Sequence, residues 1–220
     1  MLSTALAQDS VPIDLSVDAK IIPNRAGTPR HPQPVRIDVR AHITIPDAYD
    51  PPLVDTVDVW FPKGGIYHGD RYPSCTQTVL ARHGVRGCPK GAVMGTGTGT
   101  ATADTVLTHP QITVVNGGAR RVFFYTVLTN PARVQAPIVG EISRPGGRRS
   151  YRLHARIPRV LQVVAGVPIV LRELHITAGS TQKDWLATTS CPADHRWRYH
   201  VLIAFTTGQE KTYDNAVTCR

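Results

Sequence analysis

Four cysteines, Cys75, Cys88, Cys191 and Cys219, restrict the chemistry open to this 220-residue chain more than any other residues. None forms a Cys-x-x-Cys pair, so zinc-ribbon and thioredoxin-type sites lack their spacing. Disulfides are the better use. Three connectivities are open, and locality favours Cys75 with Cys88 and Cys191 with Cys219. Closing such loops contributes about 3 and about 3.5 kcal/mol on the chain-entropy argument, a large share of a total stability of ~5–15 kcal/mol. With the thiols consumed, nucleophilic catalysis would need a serine site, but there is no Gly-x-Ser-x-Gly and no strand-turn-helix around any Ser. Glu is limited to Glu141, Glu173 and Glu210. Nothing selects two carboxylates as a glycosidase-like pair. Enzyme activity is not expected, and a hydrolase of unfamiliar design is only a third reading.

Nine histidines invite a metal reading. Glu173 and His175 stand at i, i+2, His68 lies two residues from Asp70, and His195 and His200 bracket Arg196-Trp197-Arg198-Tyr199. No helical two-His spacing or zinc pattern emerges, so no metal or cofactor is expected. The run Gly95-Thr96-Gly97-Thr98-Gly99-Thr100 is not Gly-x-Gly-x-x-Gly, and neither Gly-Lys-Ser/Thr nor an apolar helix follows it. A strand with threonines on one face and Gly95, Gly97, Gly99, Ala101 and Ala103 on the other lets a neighbouring backbone approach or a sheet bend.

Charge is distributed unevenly. The net charge is +9, and between Arg120 and Arg159 nine Arg face one acid, Glu141. In Tyr151-Arg152-Leu153-His154-Ala155-Arg156-Ile157 the basic residues alternate, which predicts Arg152, His154 and Arg156 in an outward row spaced ~7 Å apart. Arg148 and Arg149 extend it as a positive ridge. Guanidinium forks suit phosphate and carboxylate, making an anionic envelope polymer, glycan or lipid surface the expected partner. Coding bias competes with that reading, because Arg far outnumbers Lys. Nucleic acid is not expected, since no aromatic platform interleaves with the basic residues. Trp185 and Trp197 are candidate aromatic contacts, whereas Trp60 is expected in the core.

These residues must be held by strands. Ile37 to Ile45 alternates apolar and polar throughout, which predicts a half-buried antiparallel strand. Similar segments occur at Ile13 to Ala19, Leu53 to Phe61, Ala92 to Ala103, Ile112 to Val115, Val122 to Thr129, Ile138 to Ile142, Tyr151 to Ile157, Ile169 to Thr177, Tyr199 to Thr206 and Lys211 to Val217. Turn clusters such as Pro51-Pro52, Asn116-Gly117-Gly118, Asn130-Pro131 and Pro145-Gly146-Gly147 separate them. About ten strands predict an all-β, antiparallel β-sandwich, Ig-like or jelly-roll-like. One short helix, Thr76 to His83 ending at Gly84, is expected in the loop closed by Cys75 and Cys88. The stretch Val163 to Leu171 is too short and too interrupted for a transmembrane segment.

Met1 to Ala7 ends in Ala-x-Ala before Gln8, the pattern cleaved by signal peptidase, so residues 1–7 read as a signal-peptide remnant and 8–220 as the domain. A sub-division near 104–111 is the alternative. Together with the disulfides this predicts a secreted, extracytoplasmic protein.

Val57-Asp58-Val59-Trp60-Phe61-Pro62, Tyr72-Pro73-Ser74-Cys75, Gly87-Cys88-Pro89 and Val93-Met94-Gly95-Thr96-Gly97 resemble a group of uncharacterised secreted proteins of actinobacterial type. Cys191-Pro192, Trp197 and Cys219 fit the same plan, as does Pro23 with Gly27-Thr28. The resemblance covers most of the chain but implies no activity and carries over no functional residue. The expected function is a non-catalytic binding or structural module of the cell envelope; the runner-up is a carrier holding a lipid or other apolar ligand between its sheets.

Overall fold

The computed structural model describes residues 11–146 and 149–220, with the backbone alone at Arg149. The expected leader remnant over residues 1–7 and the candidate anion contact Arg148 lie outside the described residues. The chain opens with β1 (Asp14–Ile22), β2 (Gln33–Pro34), β3 (Arg36–Thr44), β4 (Val54–Pro62) and β5 (Gly65–Tyr67), then a short helix α1 (Gln77–His83). There follow β6 (Val93–Ala103), β7 (Val106–Thr108), β8 (Gln111–Asn116), β9 (Arg121–Leu128), β10 (Val134–Ser143) and β11 (Arg149–Arg156). After a single helical turn, α2 (Arg159–Gln162), come β12 (Val163–Val164), β13 (Val167–Gly179), β14 (Leu186–Thr188), β15 (Arg196–Phe205) and β16 (Glu210–Thr218).

The fold is all-β and antiparallel. One ladder runs through eleven strands in the order β1-β3-β13-β6-β8-β9-β10-β11-β4-β15-β16, with β12 and β7 attached to β13 and β6. The sheet curls so far that its two edges, β1 and β16, lie against one another. Because every step of the path is antiparallel, these edge strands run in the same direction. Side chains bridge the seam: the Tyr199 hydroxyl donates to the Val17 carbonyl at 2.7 Å and the Gln209 amide to the Val11 carbonyl at 2.9 Å. Burial pushes the Tyr199 phenol up to about 12, so the group stays a neutral donor.

Alternation explains the curl's polarity. On β3, Val39, Ala41 and Ile43 face the interior while Asp38, Arg40 and His42 face out. The glycine strand meets its neighbour closely: a Cβ on Gly95 would lie 2.1 Å from the Thr177 carbonyl oxygen, and one on Gly97 2.6 Å from that of His175. Backbone occupies the space a side chain would need, so β6 packs against β13 only because its face is bare.

Each end of the curled sheet is covered. Where β4 begins, the Gln162 amide of α2 donates to the Val54 carbonyl at 2.9 Å, and Leu161 and Val164 pack on Ala101, Ala103 and Leu128. Where β4 ends, a second sheet in the order β2-β14-β5 packs through Tyr67, Trp185 and Leu186 on Tyr151 and Phe61. Asn116, fully buried, joins that end: its Oδ1 accepts from the Trp185 indole at 3.1 Å and its Nδ2 donates to the Gly69 carbonyl at 2.8 Å. Both disulfides form, Cys75 with Cys88 and Cys191 with Cys219. Helix α1 lies between the first pair, capped by the Thr76 hydroxyl, with Leu80 buried beside Cys75 and Phe123. The 104–111 stretch contains β7, a hairpin arm on β6.

Candidate functional site

Small and branched side chains that point inward leave the middle of the curled sheet hollow. An apolar cavity of about 300 Å³, partly open to solvent, runs through the curled sheet. Its wall includes Val17, Ala19 and Ile21 of β1, Val39, Ala41 and Ile43 of β3, and Val57, Val59 and Phe61 of β4. Leu174 and Ile176 of β13, Trp197, Tyr199 and Val201 of β15, and Val217 of β16 continue it. Gly99 and Ala101 give β6 almost no side chain on this wall. The consequence is visible in burial: Ala41, Val57, Val59, Leu174 and Ile176 are inward-facing yet only half-buried. In a close-packed interior such residues would be fully buried, because voids larger than a water molecule are few.

Polar side chains on the wall are few. Thr126 turns its hydroxyl back to the Phe124 carbonyl, and Gln162 uses its amide on Val54. Arg172 donates from Nη1 to the Ile45 carbonyl at 3.4 Å. No Asp or Glu among the described residues lines the cavity. Such a wall suits a greasy molecule. Among the described residues no three His, Cys, Asp or Glu side chains are grouped to hold a metal ion.

The basic row stands on the outer face, accompanied by carboxylates. β11 lies beside β4, with His154 opposite Asp58 and Arg152 opposite Trp60. Arg152 Nε donates to Asp58 Oδ1 at 2.7 Å, His154 Nδ1 lies 3.0 Å from the same oxygen, and Asp58 is only 3 % exposed. Arg156 is 3.8 Å from Asp55. The ridge therefore carries its own counter-charge, which the local count from Arg120 to Arg159 missed because Asp55 and Asp58 arrive from a strand ~100 residues away. Arg149 pairs by its backbone with Pro62.

The tryptophans reverse their expected places. Trp185 is 3 % exposed and Trp197 0 %, so neither ring is open to a surface glycan. Trp197 lines the cavity and donates its indole N–H to the Ser190 carbonyl at 2.9 Å. Trp60, expected in the core, is half-buried on the outer face with the Arg152 guanidinium 5.1 Å from its ring centre and the His200 ring 5.0 Å away. The alternation Val57-Asp58-Val59-Trp60-Phe61 carried that signal, since Trp60 shares parity with Asp58. The cavity itself had none: wall residues come from nearly every strand, and their small size is read as ordinary strand composition. Neither a protein-family model, nor a characterised protein, nor a solved structure matches the chain.

Proposed function

We propose that this chain is an extracytoplasmic, non-catalytic carrier that holds an apolar ligand, a lipid chain or similar molecule, inside its sheet. The observation that carries this reading is the cavity of about 300 Å³ with its apolar wall, at the lower end of the ~300–1,000 Å³ typical of ligand sites. Water gains little from such a wall, whereas an apolar occupant is stabilised by the apolar surface it covers.

We read the nearly closed sheet as a flattened barrel. Eight strands leave an interior that side chains fill or one small ligand occupies; eleven strands with a bare β6 wall leave more room. Asp38, Arg40, His42, Arg152 and Arg156 point outward, a polarity suited to water outside and grease inside and the reverse of a strand cylinder facing lipid. No helix of the described residues is long and apolar enough to cross a membrane. The two disulfides suit an oxidising compartment.

Organic extraction of the protein purified from an oxidising compartment, followed by mass spectrometry, tests the reading. A stoichiometric lipid or other apolar molecule is expected. A polyene fatty acid such as parinaric acid should also quench Trp197 by energy transfer; protein that yields no extract and leaves Trp emission unchanged would end the carrier reading. A second reading, contact with an anionic glycan or envelope polymer, draws support from Trp60 between Arg152 and His200. Retention on immobilised polygalacturonate at low salt, abolished in Trp60→Ala, is its expected result; no retention removes it.

A further inference from the structure

Resting on the carrier reading, we infer that the ligand is a single acyl chain ending in an oxyanion, and that Arg172 is the residue that selects its head. Two cationic residues, Lys20 and Arg172, border the cavity, and no carboxylate does among the described residues. Lys20 is exposed and stands opposite Asp38 on the outer face, which leaves Arg172.

Its position is set by a break in the ladder. The pairing of β13 with β6 steps from Leu171↔Ala101 to Glu173↔Thr100, so Arg172 is the additional residue of a bulge. Arg172 keeps the inward parity of Leu174 and Ile176, and the bulge puts it on the same wall as Leu171, its neighbour in the chain. Glu173, next in line, is exposed and faces His42 at 3.5 Å, outside the sheet. Arg172 stays half-buried at the cavity wall.

Arg172 is also under-used. A guanidinium has five N–H donors, and the described hydrogen bond of this one is the long contact to the Ile45 carbonyl at 3.4 Å. No carboxylate among the described residues pairs with it. A cation held against apolar surface without a counter-charge is costly, and a planar fork matches a carboxylate or phosphate bidentately. Gln162 also borders the cavity, its amide N–H committed to the Val54 carbonyl. The chain would then lie along the wall toward Phe61 and Trp197, with its head at the end where β4 begins.

The test displaces a neutral apolar probe, N-phenyl-1-naphthylamine, from delipidated protein with dodecanoate, dodecyl phosphate or dodecanol. Either oxyanion should compete at least tenfold better than the alcohol, the worth of one charged hydrogen bond, and the stronger of the two identifies the head. Arg172→Met should bring the oxyanions down to the level of the alcohol, each competition being referred to the naphthylamine affinity measured for that same variant, and Arg172→Lys should retain part of the preference. If the three chains compete equally in wild type, or Arg172→Met leaves the preference intact in folded protein, the inference is overturned while the carrier reading stands. If neither the naphthylamine nor any chain binds, both fall together.

Discussion

Replacing Ala41 by Leu puts an opposite sign on the two ways of describing the interior. Ala41 lies in the middle of β3, opposite Val17 of β1 and Leu174 of β13, and it faces the cavity while remaining half-buried. Leucine adds three carbons. If they enter empty space they contribute about 0.8 kcal/mol each, or about 2.4 kcal/mol together, which raises the unfolding midpoint of a domain this size by about 5–10 °C. If the interior were already close-packed, the same substitution would overpack it and cost about 1–3 kcal/mol. Differential scanning calorimetry of delipidated wild type and Ala41→Leu separates these outcomes. The ligand side must move the other way: a bound molecule stabilises by RT ln(1 + [L]/Kd), and the variant, with less room, should gain less from added dodecanoate than wild type does. A lower midpoint for delipidated Ala41→Leu would refute the hollow interior and the function built on it.

Further outcomes follow from the bonds that hold the wall in place. Replacing Cys191 and Cys219 together by Ala should cost about 3.5 kcal/mol and replacing Cys75 and Cys88 about 3 kcal/mol in urea unfolding; losses below 1 kcal/mol would mean the loops are held by other contacts. Tyr199→Phe removes the donor to the Val17 carbonyl across the seam and should cost about 1–3 kcal/mol. Amide exchange should accelerate along residues 14–22 first, and uniform acceleration would show that the seam is not a local weak point. Asp184 accepts from the Tyr72 hydroxyl at 2.6 Å and from Arg71 at 3.0 Å. The Tyr72 bond, then the neighbouring His68 and Arg71 charges, hold its carboxyl below the ordinary value against the opposing effect of burial. A depressed folded value means this stabilisation is complete above the unfolded carboxylate value of ~3.9 and disappears as pH falls through the folded one. Urea midpoints between pH 5 and pH 2 should therefore fall less steeply in Asp184→Asn than in wild type, and parallel curves would contradict the assignment.

Alternation alone sorted most strands into an inward and an outward face, because a period of two is a property of the local backbone and needs no partner. It identified β3 almost residue for residue. The helix before Gly84 and the two disulfides were legible for the same reason, since cap, stop and loop closure are near neighbours in the chain. Strand order was not. That β11 pairs with β4, so that Asp58 accepts from Arg152 and lies against His154, depends on contacts across 94 and 96 positions, and no local pattern encodes them. Nor could any single strand announce a cavity. Hollow space is a difference between the volume a curled ladder encloses and the volume its side chains fill, and that difference exists only when all the strands are assembled. For Arg172 the parity with Leu174 and Ile176 is local, but its sharing the wall with Leu171 depends on a bulge that becomes visible only once β6 and β13 are laid side by side.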